Sequence, residues 1–86
     1  MTWQVEFSPD AARELRALPA RVQRRISDRV NALARNPFPP GSRKLVGQTS
    51  GYRIPVGDYR VLYELQKDRL VVFVVKVGHR RDVYRR

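Results

Sequence analysis

Residues 52–65 read YRIPVGDYRVLYEL, two alternating stretches folded about Gly57-Asp58. A Gly-Asp pair between two runs of alternating polarity is the signal of a two-residue hairpin loop. Such a loop fixes the register: Val56 faces Tyr59, Pro55 faces Arg60, Ile54 faces Val61 and Arg53 faces Leu62. Because side chains alternate along a strand, Tyr52, Ile54, Val56, Tyr59, Val61 and Tyr63 share one face, suited to packing on helices. Arg53, Pro55, Arg60, Leu62 and Glu64 share the other. Arg53 and Arg60 become diagonal neighbours about 7 to 8 Å apart, a separation at which two guanidinium groups converge on one phosphate. The same pattern equally fits a solvated sheet face with Glu64 as an ion-pair partner, and spacing alone leaves both readings open.

Downstream, a turn at Lys67-Asp68 leads into LVVFVVKV, residues 70–77, apolar on both sides as a central strand is. Gly78 is expected to release that strand into His79, Arg80, Arg81, Tyr84, Arg85 and Arg86. This cationic run around a tyrosine also fits a solvated tail, Tyr84 a small satellite core contact, and His79 an ordinary turn histidine.

Upstream, Trp3 to Phe7 reads as an edge strand. Ser8-Pro9-Asp10 then supplies a capping hydroxyl, a proline suited to the first helical position, and an acid near the positive helix end. Ala11, Leu15 and Leu18 recur at helical spacing, and Pro19 separates this helix from a second, expected from about Ala20 to Arg35. Val22, Ile26, Val30 and Leu33 form the buried stripe of the second helix, with Arg21, Arg24, Arg25 and Arg29 on its remaining surface. Prolines at 37, 39 and 40 make a loop, and Gly47 to Gly51 is a further turn region. The order is strand, antiparallel helical hairpin, then a three-stranded antiparallel meander: an α+β fold with one curved sheet.

The 86 residues suit a single domain over 1–86. With no cysteine and one histidine, neither a disulfide framework nor a thiolate or histidine-rich metal site is expected. No membrane-length apolar run or leader is visible, so a cytoplasmic chain without a membrane, metal or cofactor role is anticipated. Eighteen Lys and Arg against eight Asp and Glu give a formal charge of +10, a field that draws polyanions. Fifteen of those cations are arginine, whose planar fork grips phosphate or carboxylate bidentately. Codon bias accounts for a choice of arginine over lysine; it does not account for the net charge.

GYRIPVGDYRVLYEL followed by VVFVVKVGHRRDVYR closely resembles the RelE/ParE toxin superfamily, in particular the RelE-like toxins of type II toxin–antitoxin pairs. WQVEFSPDAARELRALP is similar to that family's first strand and helix, and RKLVG to the segment before its sheet, so the likeness spans nearly the whole chain. It implies a RelE-like fold and a ribosome-dependent messenger-RNA endonuclease, metal-independent and without cofactor, that inhibits translation until an acidic antitoxin silences it. Its partners would be that antitoxin, the ribosome and mRNA, with operator DNA reached only through the antitoxin complex.

Carried over by position, Arg53 falls on a basic site of the concave sheet face, Arg60 and Arg80 on phosphate-binding arginines, and Tyr84 on the tyrosine implicated in proton transfer. Lys44, His79, Arg81 and Arg85 would contribute RNA contacts. The chemistry is attack of a 2′-hydroxyl on the adjacent phosphate, and nearby cations favour the phenolate that Tyr84 needs to act as base. Pro55 stands where active ribosome-dependent members carry another cation, which leaves the strength of cleavage open. Two alternatives stand beside this reading: a ParE-like inhibitor of DNA gyrase, and a weakly active toxin serving mainly as an antitoxin-binding corepressor.

Overall fold

A computed structural model describes residues 2–47 and 50–83. Its elements in chain order are β1 (Gln4–Phe7), α1 (Pro9–Arg16), α2 (Ala20–Ala32), β2 (Arg43–Lys44), β3 (Gly51–Val56), β4 (Tyr59–Gln66) and β5 (Val71–His79). One sheet holds every strand, in the order β1-β5-β4-β3-β2. The fold is α+β, with a helical hairpin laid on one face of an open mixed sheet.

The β3–β4 hairpin carries the register expected from its loop, with Val56 opposite Tyr59, Pro55 opposite Arg60, Ile54 opposite Val61 and Arg53 opposite Leu62. Gly57 has φ +59 while Asp58 stays at negative φ, as in the hairpin turns that need glycine at their first central position. The margins of the sheet and helices add to or differ from the expectation in detail. The β1 strand is the expected edge, and it pairs parallel with β5. A short strand, β2, pairs antiparallel with β3 and forms the opposite edge. Gly78 does not release β5, which continues to His79, and α2 ends at Ala32 instead of Arg35.

The core lies between the helices and the sheet. Ala11, Ile26, Val30 and Leu33 pack on Ile54, Val56, Val61, Tyr63, Leu65, Val72, Val74 and Val77. Three of those β5 residues would not share a face under strict alternation. An extra residue in β5 opposite Leu62/Tyr63 shifts the phase, so that Leu62 pairs with Lys76 and Tyr63 with Val74, and both Val74 and Val77 turn inward.

Where β1 stops at Phe7, α1 takes over the free edge of β5. The Ser8 amide donates to the Val74 carbonyl at 2.8 Å. The Ser8 hydroxyl caps α1 by accepting from the Ala11 amide at 3.0 Å and donates to the Val75 carbonyl at 3.3 Å. One turn on, the Glu14 carboxylate accepts from the Val77 amide at 2.9 Å and from Lys76 Nζ at 3.1 Å. Edge groups left by a short strand are thus satisfied by a helix. Gln23 Nε2 of α2 donates to the Leu18 carbonyl at 2.7 Å, tying the two helices at their junction.

At the other end of β3, Phe38 packs edge-on to Tyr52, which stacks on Tyr63. The buried Tyr63 hydroxyl donates to the Pro37 carbonyl at 2.7 Å and so fastens the proline loop to the sheet. Burial, with a smaller push from Tyr52 and an opposing pull from the Ser42 hydroxyl, raises this phenol from 10.0 to about 12.

Candidate nucleic-acid interface

The face of the sheet turned away from the helices carries Arg53, Pro55, Arg60, Leu62, Glu64 and Gly78, by the pairing of their strands. Arg60 and Gly78 are directly opposed there. Beyond His79 the chain turns sharply, with the Asp82 amide donating to the His79 carbonyl at 2.8 Å and the Val83 amide at 3.0 Å. This turn folds Val83 onto the strand: a Cβ at Gly78 would stand 3.8 Å from Val83 Cβ. Val83 is buried there, outside the main core.

The turn that carries Arg80 is fastened to the tip of the β3–β4 hairpin. The Arg80 amide donates to the Asp58 carbonyl at 2.8 Å, and its Nε stands 4.0 Å from the Asp58 carboxylate. Arg60 reaches the same tip from β4, donating through Nη1 to the Gly57 carbonyl at 3.0 Å and the Tyr59 carbonyl at 2.8 Å. From the helix side comes Arg25 of α2, whose Nη2 lies 3.1 Å from where a Gly57 Cβ would be. Three guanidinium groups therefore meet at one two-residue turn, with Asp58 the acid among them. Guanidinium forks of this kind can each bind phosphate oxygens.

The sequence-derived candidates are not all brought together. Arg60 and Arg80 converge on the hairpin tip. Arg53 sits two residues from Arg60's partner Pro55, half-buried in β3, with Arg43 of β2 opposite it. Lys44 pairs instead with Tyr52, which places it on the helix-side face. His79 lies opposite Tyr59 with the rings 5.6 Å apart and nearly perpendicular, also on the helix side. Its Nδ1 accepts from the Arg81 amide at 3.1 Å, so the imidazole braces the turn, and Arg81 itself is exposed. Tyr84 and Arg85 lie outside the described residues. Sequence reasoning did not single out Arg25 or Arg43: helical spacing puts Arg25 on the surface, and only the crossing of α2 over the sheet delivers it to Gly57. No group of three or more His, Asp or Glu side chains suited to a metal occurs among the described residues. Among them, no helix is long and apolar enough to cross a membrane.

The site thus belongs to a small α+β domain with a helical hairpin on one sheet face and arginines at the tip of its β3–β4 hairpin. Comparison narrows that class. The family of ParE toxins of type II toxin–antitoxin systems, parDE, matches residues 5–84. The Mycobacterium tuberculosis toxin RelG is 34% identical over 90 residues, covering all of both chains. A chain of the RelB–RelE complex from Pyrococcus horikoshii superposes with a TM-score of 0.82 at 28% identity, over 96% of this chain and 100% of its own. A chain of the intact Escherichia coli RelBE toxin–antitoxin complex gives 0.80 at 26% identity, over 90% and 95% respectively. The protein belongs to the RelE/ParE superfamily of toxins from type II toxin–antitoxin systems.

Proposed function

We propose that this toxin is a ribosome-dependent endoribonuclease, metal-independent, that cuts messenger RNA and is held inactive by a cognate antitoxin. The observation that carries the reading is the convergence of Arg60 and Arg80 on the Gly57-Asp58 turn, beside a chain end folded over Gly78. Gly78 is the direct partner of Arg60, and Val83 covers it, so the residue preceding Tyr84 already lies in the row of Arg60. In this reading the 2′-hydroxyl of the RNA gives its proton to the Tyr84 phenolate and attacks the neighbouring phosphorus. The bond to the 5′ oxygen breaks, and that oxygen takes a proton from water. Arg60 and Arg80 stabilise the extra negative charge on the phosphorane, the kind of preorganised contribution that is often the largest in catalysis, while Arg53 binds the backbone behind them.

Several relatives of known structure are toxin–antitoxin complexes, which supports an antitoxin as this chain's partner. Its charge calls for an acidic segment that orders on binding. Operator DNA enters only through that complex, and the compartment is the cytoplasm.

Translation-coupled cleavage by the wild type, Arg60→Ala, Arg80→Ala and Tyr84→Phe tests the nuclease. Each arginine variant should lose about a hundredfold to a thousandfold in cutting rate, the loss typical of removing one charge-stabilising donor. Equal cutting by all four rejects it. A gyrase-inhibiting toxin is the second reading, favoured by the ParE family match over residues 5–84. Inhibition of supercoiling without RNA cleavage would establish that one.

A further inference from the structure

The charge on α2 is arranged rather than scattered. Arg21, Arg25 and Arg29 follow one another at four-residue intervals, so they line one flank of the helix with successive guanidinium groups about 6 Å apart along its axis. All three are exposed, and among the described residues no ion pair involves any of them. Like charges at this spacing destabilise a helix unless something neutralises them. The flank borders the buried stripe of Ile26 and Val30, and its central member, Arg25, is the residue that meets Gly57 at the hairpin tip. Through Arg25 the flank thus reaches the hairpin tip that Arg60 and Arg80 also contact.

We infer that Arg21, Arg25 and Arg29 form a track for the sugar-phosphate backbone of single-stranded RNA, leading a strand into the hairpin-tip site. This rests on the nucleic-acid reading of that site and adds where the strand runs beyond it. An even ladder of forks, one per helical turn, suits a polymer with one charge per repeat. A protein partner would need apolar anchors at the centre of its footprint. The large apolar side chains exposed among the described residues, Phe38 and Val46, lie elsewhere, around the β2 end of the sheet, where Phe38 packs on Tyr52.

The test measures equilibrium binding of the full chain to a short 2′-O-methyl oligouridylate, uncuttable because its attacking hydroxyl is blocked, between about 50 and about 200 mM salt. Each phosphate contact on a single strand adds about 0.7 to the slope of log affinity against log salt. Arg25→Gln should therefore lower the slope by about 0.7, and the triple variant Arg21→Gln, Arg25→Gln, Arg29→Gln by about 2. A control triple with the same loss of charge, Arg13→Gln, Arg16→Gln, Arg24→Gln, should change it much less. Equal loss in both triples, or no loss in the first, overturns the track. So does retained RNA binding with lost binding to poly-L-glutamate, which would assign the flank to an acidic protein. Because no cleavage is read, the result stands apart from the nuclease assay: a toxin that cuts nothing can still show the slope change, and one that cuts can lack it.

Discussion

Arg80 and Asp58 are joined twice, through the main chain at 2.8 Å and through Nε and the carboxylate at 4.0 Å. The first contact positions the turn, whereas the second holds the Arg80 guanidinium beside a carboxylate. Both side chains are more than half exposed, at 58% and 68%, so the ion pair adds little to stability. Asp58→Ala keeps the main-chain bond. It should change the unfolding free energy by less than about 0.5 kcal/mol and tighten RNA binding by roughly twofold, read by urea melts and anisotropy.

Gly57→Ala should cost about 1–2 kcal/mol, since an L side chain at φ +59 meets its own carbonyl. The new methyl would also press on Arg25 Nη2 at 3.1 Å. Gly57→Asn, a residue more tolerant of this conformation, should restore part of the backbone loss in the same urea melts. Equal stability for both variants would show that the arginine, and not the backbone, sets the cost.

Tyr63→Phe removes a buried hydroxyl and leaves the Pro37 carbonyl without that donor, for a loss of about 1–1.5 kcal/mol near neutral pH. The folded phenol holds its proton up to about 12, against 10.0 for the ordinary value. Above the lower figure the unfolded chain loses that proton first, so the stabilisation is complete below pH 10.0 and is lost as pH rises through about 12. Urea midpoints across this window should fall more steeply for the wild type than for Tyr63→Phe.

Glu14→Ala strips the β5 edge of its acceptor at Val77 and frees Lys76. A loss of about 1–3 kcal/mol is expected, with faster amide exchange at Val77. Glu14→Gln retains an oxygen for the amide and should fall between the two.

The hairpin was legible because a two-residue loop leaves one register, and alternation then sorted Arg53 and Arg60 from Ile54 and Val61. Ser8-Pro9-Asp10 marked the start of α1 for equally local reasons. What escaped was set by contacts far apart in the chain. Arg43–Lys44 is too short to show a period, so neither β2 nor the opposite orientations of its two cations could be read. The parallel partner of β1 is 67 positions away, Gln4 against Val71. The shift at Leu62/Tyr63 hid in an apolar run where every phase looks buried. Arg60 was placed on the correct face, but its guanidinium bends to the Gly57 and Tyr59 carbonyls, a choice made by the turn's geometry.

Because β5 lies between β1 and β4, the last of the described strands is the one that joins the first to the remainder of the sheet. A nascent chain that has not yet released Val71–His79 has a hairpin and two helices but no partner for Gln4–Phe7. The arginines at the tip lack their companion Arg80 until the same moment. Interrupted synthesis before Val71 consequently leaves Gln4–Phe7 unpaired and the hairpin tip without the Arg80 contact to Asp58.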